Sequence, residues 1–584
     1  MSRRTLVLMS LLVAGTSVSA CGDDESAGFA MESTRDSSGG GGGGSADTSS
    51  SPRPDASMPS VGDTSMPWGG DTSSSPNDAS GTADTAGPSD VTGNTNISFG
   101  GAQDFGYVRS IIESGRVPRP ADLDPAGFFA EHSTPLPDPV CGRRICVQAM
   151  LGVMGNLING NNCTMLQLGM NSPIVVDPSD RPPLTLAVTI DVSGSMEAGD
   201  KIGYVRQGLE RLVSSLNDDD QLALITYENV ARTVWHMQPI RSNRNTILQI
   251  VRGLQANGGT NLHDGLKMAY DAVSSAYDSG RQNRVILLSD GQPTTGVTST
   301  AAIIAMSAAR NSDGIGLTTV GLGSDFNLEL MRGLAEQADG NFYFLENSTA
   351  VDEVFTEELA YFTLPVAFDV TIDVRSGNLY SLVRANGSSR FVLDDGGGTF
   401  SVPSVFFAHR QAPDDVFEGE DGVGRRGGGS MLVLELMPEV WDGEVPPEAA
   451  DVAEVTLTFR EPGTNAILEE KVVVNYPYSP DYLVPTGFFE NAIVTKSFVV
   501  LNIYFAIEEA ALRFHGGQAV AARDVLARVI AAAEDYEDSA NDGQGDLDIR
   551  FDIELMQDLI GVIERLSNIN QPPPQPPADP WPLD

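Results

Sequence analysis

Residues 184 to 190 (LTLAVTI) form an almost unbroken run of β-branched and aliphatic side chains that ends on Asp191. A run of this length without polar alternation fits a strand buried on both faces of a parallel sheet. Directly after it, the polar turn Asp191-Val192-Ser193-Gly194-Ser195-Met196 leads into a segment where Ile202, Val205, Leu209, Leu212, Val213 and Leu216 recur at helical spacing. The order then repeats. Further strands are expected at 222–227, 230–236, 285–288, 317–322 and 342–345, and helices at 246–254, 262–273, 300–310, 328–337 and 351–362. Such alternation predicts an α/β fold class, a doubly wound Rossmann-like domain over residues 181–365.

In an open α/β sheet the working crevice lies beyond the carboxyl ends of the strands. Asp191 stands at one such end, Asp290 at another after 285–288, and Thr260 follows Gly258-Gly259 in a connecting loop. Asp191, Ser193, Ser195, Thr260 and Asp290 can therefore converge. Two carboxylates and three hydroxyls are hard oxygen donors, suited to Mg²⁺ first and also to Mn²⁺ or Ca²⁺. Spacing alone would not carry this reading. The same Asp-x-Ser-x-Ser pattern occurs at Asp47 and Asp71, within Ser/Gly-rich sequence that offers no apolar run from which a strand or helix is expected.

Asp191-Val192-Ser193-Gly194-Ser195 with Thr260 and Asp290 resembles the metal-ion-dependent adhesion site of von Willebrand factor type A domains. The segments YVRSIIESGRVPRPAD (107–122), NRVILLSD (283–290), GIGLTTVGLG (314–323) and RRGGGSMLVLEL (425–436) extend the likeness. They resemble bacterial type A lipoproteins often labelled calcium-activated chloride channel homologues. The resemblance implies that Ser193 and Ser195 ligate the metal directly, that Thr260 joins in the ligand-competent state, and that Asp191 and Asp290 act partly through water. It implies a protein partner presenting an Asp or Glu carboxylate, and a final type A helix, 351–362, that slides when the ligand binds.

The first residues read as an export signal. Arg3 and Arg4, an apolar stretch from Leu6 to Ala14 and Val18-Ser19-Ala20-Cys21 give charge, apolar core and small-residue cleavage site in order, so residues 1–20 are expected to be removed. Cys21 after Val-Ser-Ala resembles a lipobox cysteine, which implies lipidation at Cys21 and a membrane-anchored place in the cell envelope. Between Gly22 and Ile97 there is no leucine, while Gly39 to Gly44 are consecutive glycines. Residues 21–97 are therefore expected to be a disordered tether, since they bury too little apolar surface to offset ordering entropy. Of the remaining cysteines, Cys141 and Cys146 are close enough to be the candidate disulfide, with Cys163 the odd thiol.

Net charge excludes one class of partner. The 36 Lys and Arg against 79 Asp and Glu leave −43, and no basic cluster locally reverses it, so nucleic acid is not an expected ligand. A cationic partner or a bound cation is favoured instead. The longest apolar runs fall short of the roughly 18–20 residues of a membrane span, so a channel-like role reduces to that of an accessory or regulatory subunit of a membrane complex.

Residues 98–180 form an N-terminal flank expected to lend strands to the region beyond the α/β domain, which would make that domain an insertion. After residue 365 the apolar period falls towards two, and strands at 366–374, 380–383, 399–407, 431–436, 452–459 and 466–475 predict an antiparallel β-sandwich over 366–480. Helical spacing returns over 485–570, and 571–584 is a Pro-rich tail. A metal-dependent hydrolase is the enzyme alternative, with His263 as a base, but no HExxH or Gly-x-Ser-x-Gly motif supports it and no enzyme is expected. Acidic residues 538–548 lack the EF-hand pattern, with Ala540 and Ile549 at its ligand positions, and read as a solvated helix connection.

Overall fold

The computed structural model describes residues 94–99, 105–174 except 133, 181–345 except 324–325 and 338–339, 351, 354–355, 365–408, 431–438, 451–476 except 463 and 465, 487–569 except 544, and 573. The expected signal 1–20, the lipidation residue Cys21, nearly all of the expected tether and all but one residue of the Pro-rich tail lie outside the described residues. Among the described residues no helix is long and apolar enough to cross a membrane.

The described chain opens with β1 (Thr95–Ile97), α1 (Gly106–Glu113), α2 (Pro125–Ala130) and the hairpin of β2 (Cys146–Gly155) and β3 (Asn162–Ser172). β1 pairs antiparallel with β3, Ile97 opposite Met170, so the tether expected to reach Ile97 has already given way to a strand at Thr95. Ile97 is fully buried and the Asn96 side chain donates to the Thr134 carbonyl at 2.8 Å. Three residues are too few to show a period, which is why the sequence hid them. The Asn-rich stretch before β3 is a turn: the Asn156 carboxamide oxygen accepts from Ile158 N at 3.0 Å and Asn159 N at 2.8 Å. Cys141 and Cys146 form a disulfide at the entrance to β2, whereas Cys163, expected as the odd thiol, is buried in β3 and is disulfide-bonded rather than free.

The α/β segment runs β4 (Leu184–Asp191), α3 (Lys201–Ser215), β5 (Gln221–Tyr227), β6 (Ala231–Pro239), α4 (Arg244–Arg252), α5 (Leu262–Ser275), β7 (Gln282–Ser289), α6 (Thr300–Asn311), β8 (Gly316–Leu322), α7 (Leu328–Gln337) and β9 (Phe342–Leu345). Its sheet has the order β6-β5-β4-β7-β8-β9, parallel throughout except for β6 at the edge. β4 is buried at every position because aliphatic cores cover both faces, one beneath α3 and α4 and the other beneath α5, α6 and α7. Each fully buried Leu, Ile or Val contributes about 1.5–3 kcal/mol of transfer free energy. Of the helix expected at 351–362, Val351, Val354 and Phe355 are described and buried on the α3 side, with the Phe355 ring over Gly208; its remainder and its junction to the next strand lie outside the described residues.

The chain continues through β10 (Pro365–Ser376), β11 (Tyr380–Asn386), β12 (Phe391–Asp394), β13 (Gly397–Phe406), β14 (Leu432–Pro438), β15 (Asp451–Arg460), β16 (Ile467–Asn475) and β17 (Phe488–Phe489), then α8 (Ala492–His515), α9 (Ala519–Gly543) and α10 (Leu547–Ser567). One sheet has the order β12-β13-β10-β15-β16; the other, β11-β14-β3-β2-β17, carries β1 on β3. The two pack face to face through Leu166, Leu168, Leu434 and Leu436 against Ile372, Phe400, Val455 and Leu457. β14 pairs with β3 on one side and β11 on the other, so strands from before and after the α/β segment share a sheet and the segment is inserted between them. As expected, residues 98–180 lend strands to the sandwich, which is accordingly not confined to 366–480. Hydropathy identifies strands but not which strands pair.

The outer face of the second sheet, with Met150, Met154, Met165 and Val433, packs against α8, α9, α10 and the N-terminal helices as a third layer. Here the acidic connection departs from expectation. α9 continues through Asp538 to Gly543, and Asp546 caps α10 by accepting from Asp548 N at 3.0 Å. Lys496 of α8 lies 2.9 Å from Asp546 and 2.9 Å from Asp548, all three buried. The end of the stretch, Asp546 and Asp548, is part of a sealed ion triad rather than a solvated connection, because a lysine some fifty residues earlier in the chain, among buried residues of α8, reaches it.

The insert is held to this body by the N-terminal segment. Tyr107 of α1 packs edge-on against Phe326 at 5.3 Å and Phe344 at 5.9 Å. Asp124, the cap of α2, faces Arg332 of α7 at 3.8 Å, and Arg332 lies 3.7 Å from Glu336. Burial, reinforced by the Asp124 carboxylate, pushes Glu336 up to about 7, and burial raises Asp124 itself.

Candidate metal centre

The five residues expected to converge do so. Asp191 closes β4 and Asp290 follows the last residue of β7, placing two carboxylates at the carboxyl ends of adjacent parallel strands, where the sheet order reverses direction. The turn after β4 is pinned by fully buried Met196, and a 3₁₀ stretch, Gly194–Asp200, carries it into α3. Ser193 N donates to Asp191 Oδ1 at 2.8 Å and Ser289 Oγ to Asp191 Oδ2 at 2.9 Å. Ser195 Oγ lies 3.0 Å from Ser193 Oγ and donates to Asp290 Oδ1 at 2.8 Å.

Thr260 arrives from the loop before α5. Asn257 N donates to the Val192 carbonyl at 2.7 Å and Gly194 N to the Gly258 carbonyl at 3.0 Å, which zips that loop to the Ser193 turn. Gly258 has φ +84°, and a Cβ there would strike the Glu228 carboxylate, so the close approach requires glycine. A side chain at Gly291 would stand 3.8 Å from Ser195 Oγ and 4.0 Å from Thr260 Oγ1, which puts both hydroxyls on the same opening. The Thr260 backbone is locked by Thr294 and Thr295, whose N–H groups donate to its carbonyl at 2.9 and 3.2 Å.

Burial dominates the electrostatics. Asp191 is wholly enclosed, which pushes its carboxyl up to about 6; the charge of Asp290 adds to this and the hydrogen bonds from Ser193 and Ser289 oppose it. A dication would reverse that tendency by favouring the ionised form. The oxygen spacing suits one. Mg²⁺ ligated at 2.0–2.1 Å in an octahedron has neighbouring oxygens about 2.9 Å apart, and the Ser193–Ser195 and Ser195–Asp290 separations are 3.0 and 2.8 Å.

Sequence reasoning missed three partners. Ser289 and Thr294 brace the site, and Lys201 donates to Asp290 Oδ2 at 2.7 Å. A lysine opening a helix, where the dipole disfavours a cation, was the available signal. His263, the candidate base, has its ring 3.0 Å from Asp264 and lies in the first turn of α5. The other thiol and carboxylate cluster among the described residues, Cys141, Cys146 and Glu470, has its two sulfurs in a disulfide and so presents no thiolate.

Comparison with known proteins agrees with the geometry. A family model for the von Willebrand factor type A domain matches residues 186–357. The chain is 28% identical over 195 residues to the uncharacterized protein YfbK of Escherichia coli, covering 33% of this chain and 34% of YfbK. It is 27% identical over 203 residues to the uncharacterized protein sll0103 of Synechocystis sp., covering 35% of this chain and 47% of that protein. It thus spans less than half the length of either relative. Among solved structures, a von Willebrand factor type A protein from Catenulispora acidiphila aligns with a TM-score of 0.46 at 15% identity, over 72% of this chain and 96% of that one. The α/β insert that carries Asp191, Ser193, Ser195, Thr260 and Asp290 is a von Willebrand factor type A domain.

Proposed function

We propose that this is a membrane-anchored, exported binding protein that captures a carboxylate of a protein partner through a divalent cation, Mg²⁺ in the first instance, held by Asp191, Ser193, Ser195, Thr260 and Asp290. Type A domains commonly mediate metal-dependent protein–protein interaction. The observation that carries the reading is the donor set: the Ser195 and Thr260 hydroxyls bear on the opening with Ser193 Oγ 3.0 Å from Ser195 Oγ, while the two carboxylates are already engaged by Ser193 N, Ser289, Ser195 and Lys201. A dication held mainly by neutral oxygens keeps its affinity for an incoming carboxylate. The chain's own residues fix the opening, as the buried Asp191 orients the Ser193 turn and Thr294 and Thr295 hold Thr260. A cation bridge also lets a protein of net charge −43 meet an acidic surface. Export and anchoring rest on residues 1–20 and Cys21, and binding rather than hydrolysis is the activity proposed.

Mn²⁺ at a hundredfold excess over its dissociation constant is expected to stabilise the wild type by about 2.7 kcal/mol. Asp191→Ala should abolish that gain in thermal unfolding, and a variant keeping the full shift would place metal binding elsewhere.

A further inference from the structure

We propose that Lys201 is a built-in counter-cation of this site, which an incoming dication must displace from Asp290 and which thereby weakens the site's metal affinity. The inference rests on the metal reading above. Lys201 Nζ lies 2.7 Å from Asp290 Oδ2, with 13% of the lysine side chain and none of the aspartate exposed. The other three carboxylate oxygens of the pair, Asp191 Oδ1 and Oδ2 and Asp290 Oδ1, receive only neutral donors, from Ser193, Ser289 and Ser195. Lys201 is therefore the cation that this crevice supplies for itself.

The backbone is shaped to put it there. Gly199 and Asp200 adopt φ of +64° and +56°, and the second is a left-handed conformation that a non-glycine residue adopts at a cost. These two residues turn the chain so that Lys201 begins α3. Its aliphatic stem then crosses Gly323, at φ +70° just beyond β8, where a Cβ would come within 2.6 Å of Lys201 Cε. A positive charge opens the helix at the end where the dipole opposes it, so helix stability does not account for the placement. Contact with Asp290 does.

The sign of the effect comes from charge. A dication entering this crevice finds two carboxylates already half neutralised by an ammonium, whereas without the lysine it would find both charges unshared. It also finds the ammonium as a like charge at short range, weakly screened because both partners are buried. Occupancy by metal is thereby made costly until a further negative group arrives, and a partner's carboxylate is such a group.

Lys201→Met keeps the apolar stem of the side chain and removes its ammonium charge, and Lys201→Arg keeps the charge. Titration of the EDTA-stripped full chain with Mn²⁺ alone, followed by calorimetry at fixed ionic strength, is expected to show Lys201→Met binding at least about tenfold more tightly than wild type, with Lys201→Arg close to wild type. A lysine that merely props up the site would give the opposite sign, since its loss would loosen the ligands. Unchanged or weaker binding by Lys201→Met, with wild type binding intact, would overturn the proposal. If neither protein binds Mn²⁺, the metal reading itself fails and takes this one with it. Should Lys201→Met unfold when stripped, Lys201→Gln gives the same comparison with a polar group left on Asp290.

Discussion

Two places among the described residues bring together two aspartates and one lysine. In the helical layer, Lys496 reaches Asp546 and Asp548 equally, at 2.9 Å each, and all three are enclosed. In the type A crevice, Lys201 touches one carboxylate of the pair, and exposed Ser195 stands between that carboxylate and solvent. Their formal charge is identical. What separates them is how many bonds the ammonium makes and whether neutral oxygens line a way in. A cation bonded to both acids and sealed from water is a structural element, whereas a cation bonded to one of them beside three hydroxyls can be exchanged.

The comparison breaks first at the sealed triad. Lys496→Met is expected to leave two buried carboxylates uncompensated and cost about 3–5 kcal/mol in urea unfolding, more than removing Lys201 should cost; equal costs would mean that the two sites are the same kind of object. A third cluster sharpens the contrast by lying between them. Asp124 and Glu336 share Arg332 at 3.8 and 3.7 Å, so neither acid is closely paired, and Glu336 is held near 7 against an ordinary 4.5. A raised carboxyl favours the protonated form in the fold. Its stabilisation is full below pH 4.5 and disappears as pH rises through about 7, and it is worth about 1–3 kcal/mol. Wild type should therefore lose that much relative to Glu336→Gln between pH 4.5 and 7.5 in parallel melts, and parallel profiles would show that Glu336 titrates normally. The smallest effect belongs to a pair with no enclosure. Arg241 and Asp219 are about two-thirds exposed, and Arg241→Ala should move stability by less than about 0.5 kcal/mol; a larger loss would undo the link between burial and consequence.

The type A domain was legible because its signals are local. A buried strand ending in Asp191, hydroxyls two and four residues on, and Asp290 at the end of a second strand lie within elements whose periods can be read directly. Thr260 was legible through the Gly258-Gly259 beside it. The misses were long-range. Nothing near Lys496 announces Asp546 and Asp548, and although strands from 98–180 are expected to join the later sheet, nothing near β3 names β14 as its neighbour, since both depend on pairings across fifty residues or more. Lys201 lay in plain view, but its meaning depends on Gly323, which approaches it only when β8 is in place. The three-residue β1 carried too few positions to show alternation. Among residues 351–362, where a sliding helix is expected, only Val351, Val354 and Phe355 are described, and all three are buried.

The insertion has a consequence during synthesis. β3 ends at Ser172 and the strand beside it, β14, begins at Leu432, 260 residues later. At 5–20 residues per second a ribosome needs roughly 13–50 s to cover that distance. Through that interval the hairpin of β2 and β3 has no β14 along its edge, and until β10 emerges from Pro365 it has no opposing sheet over Leu166, Leu168 and Met170, while the whole of the type A insert can emerge and close on itself. An open edge with an apolar face is a template for pairing with other chains. The nascent protein thus carries a finished domain beside an unfinished one, and the unfinished one needs shelter first.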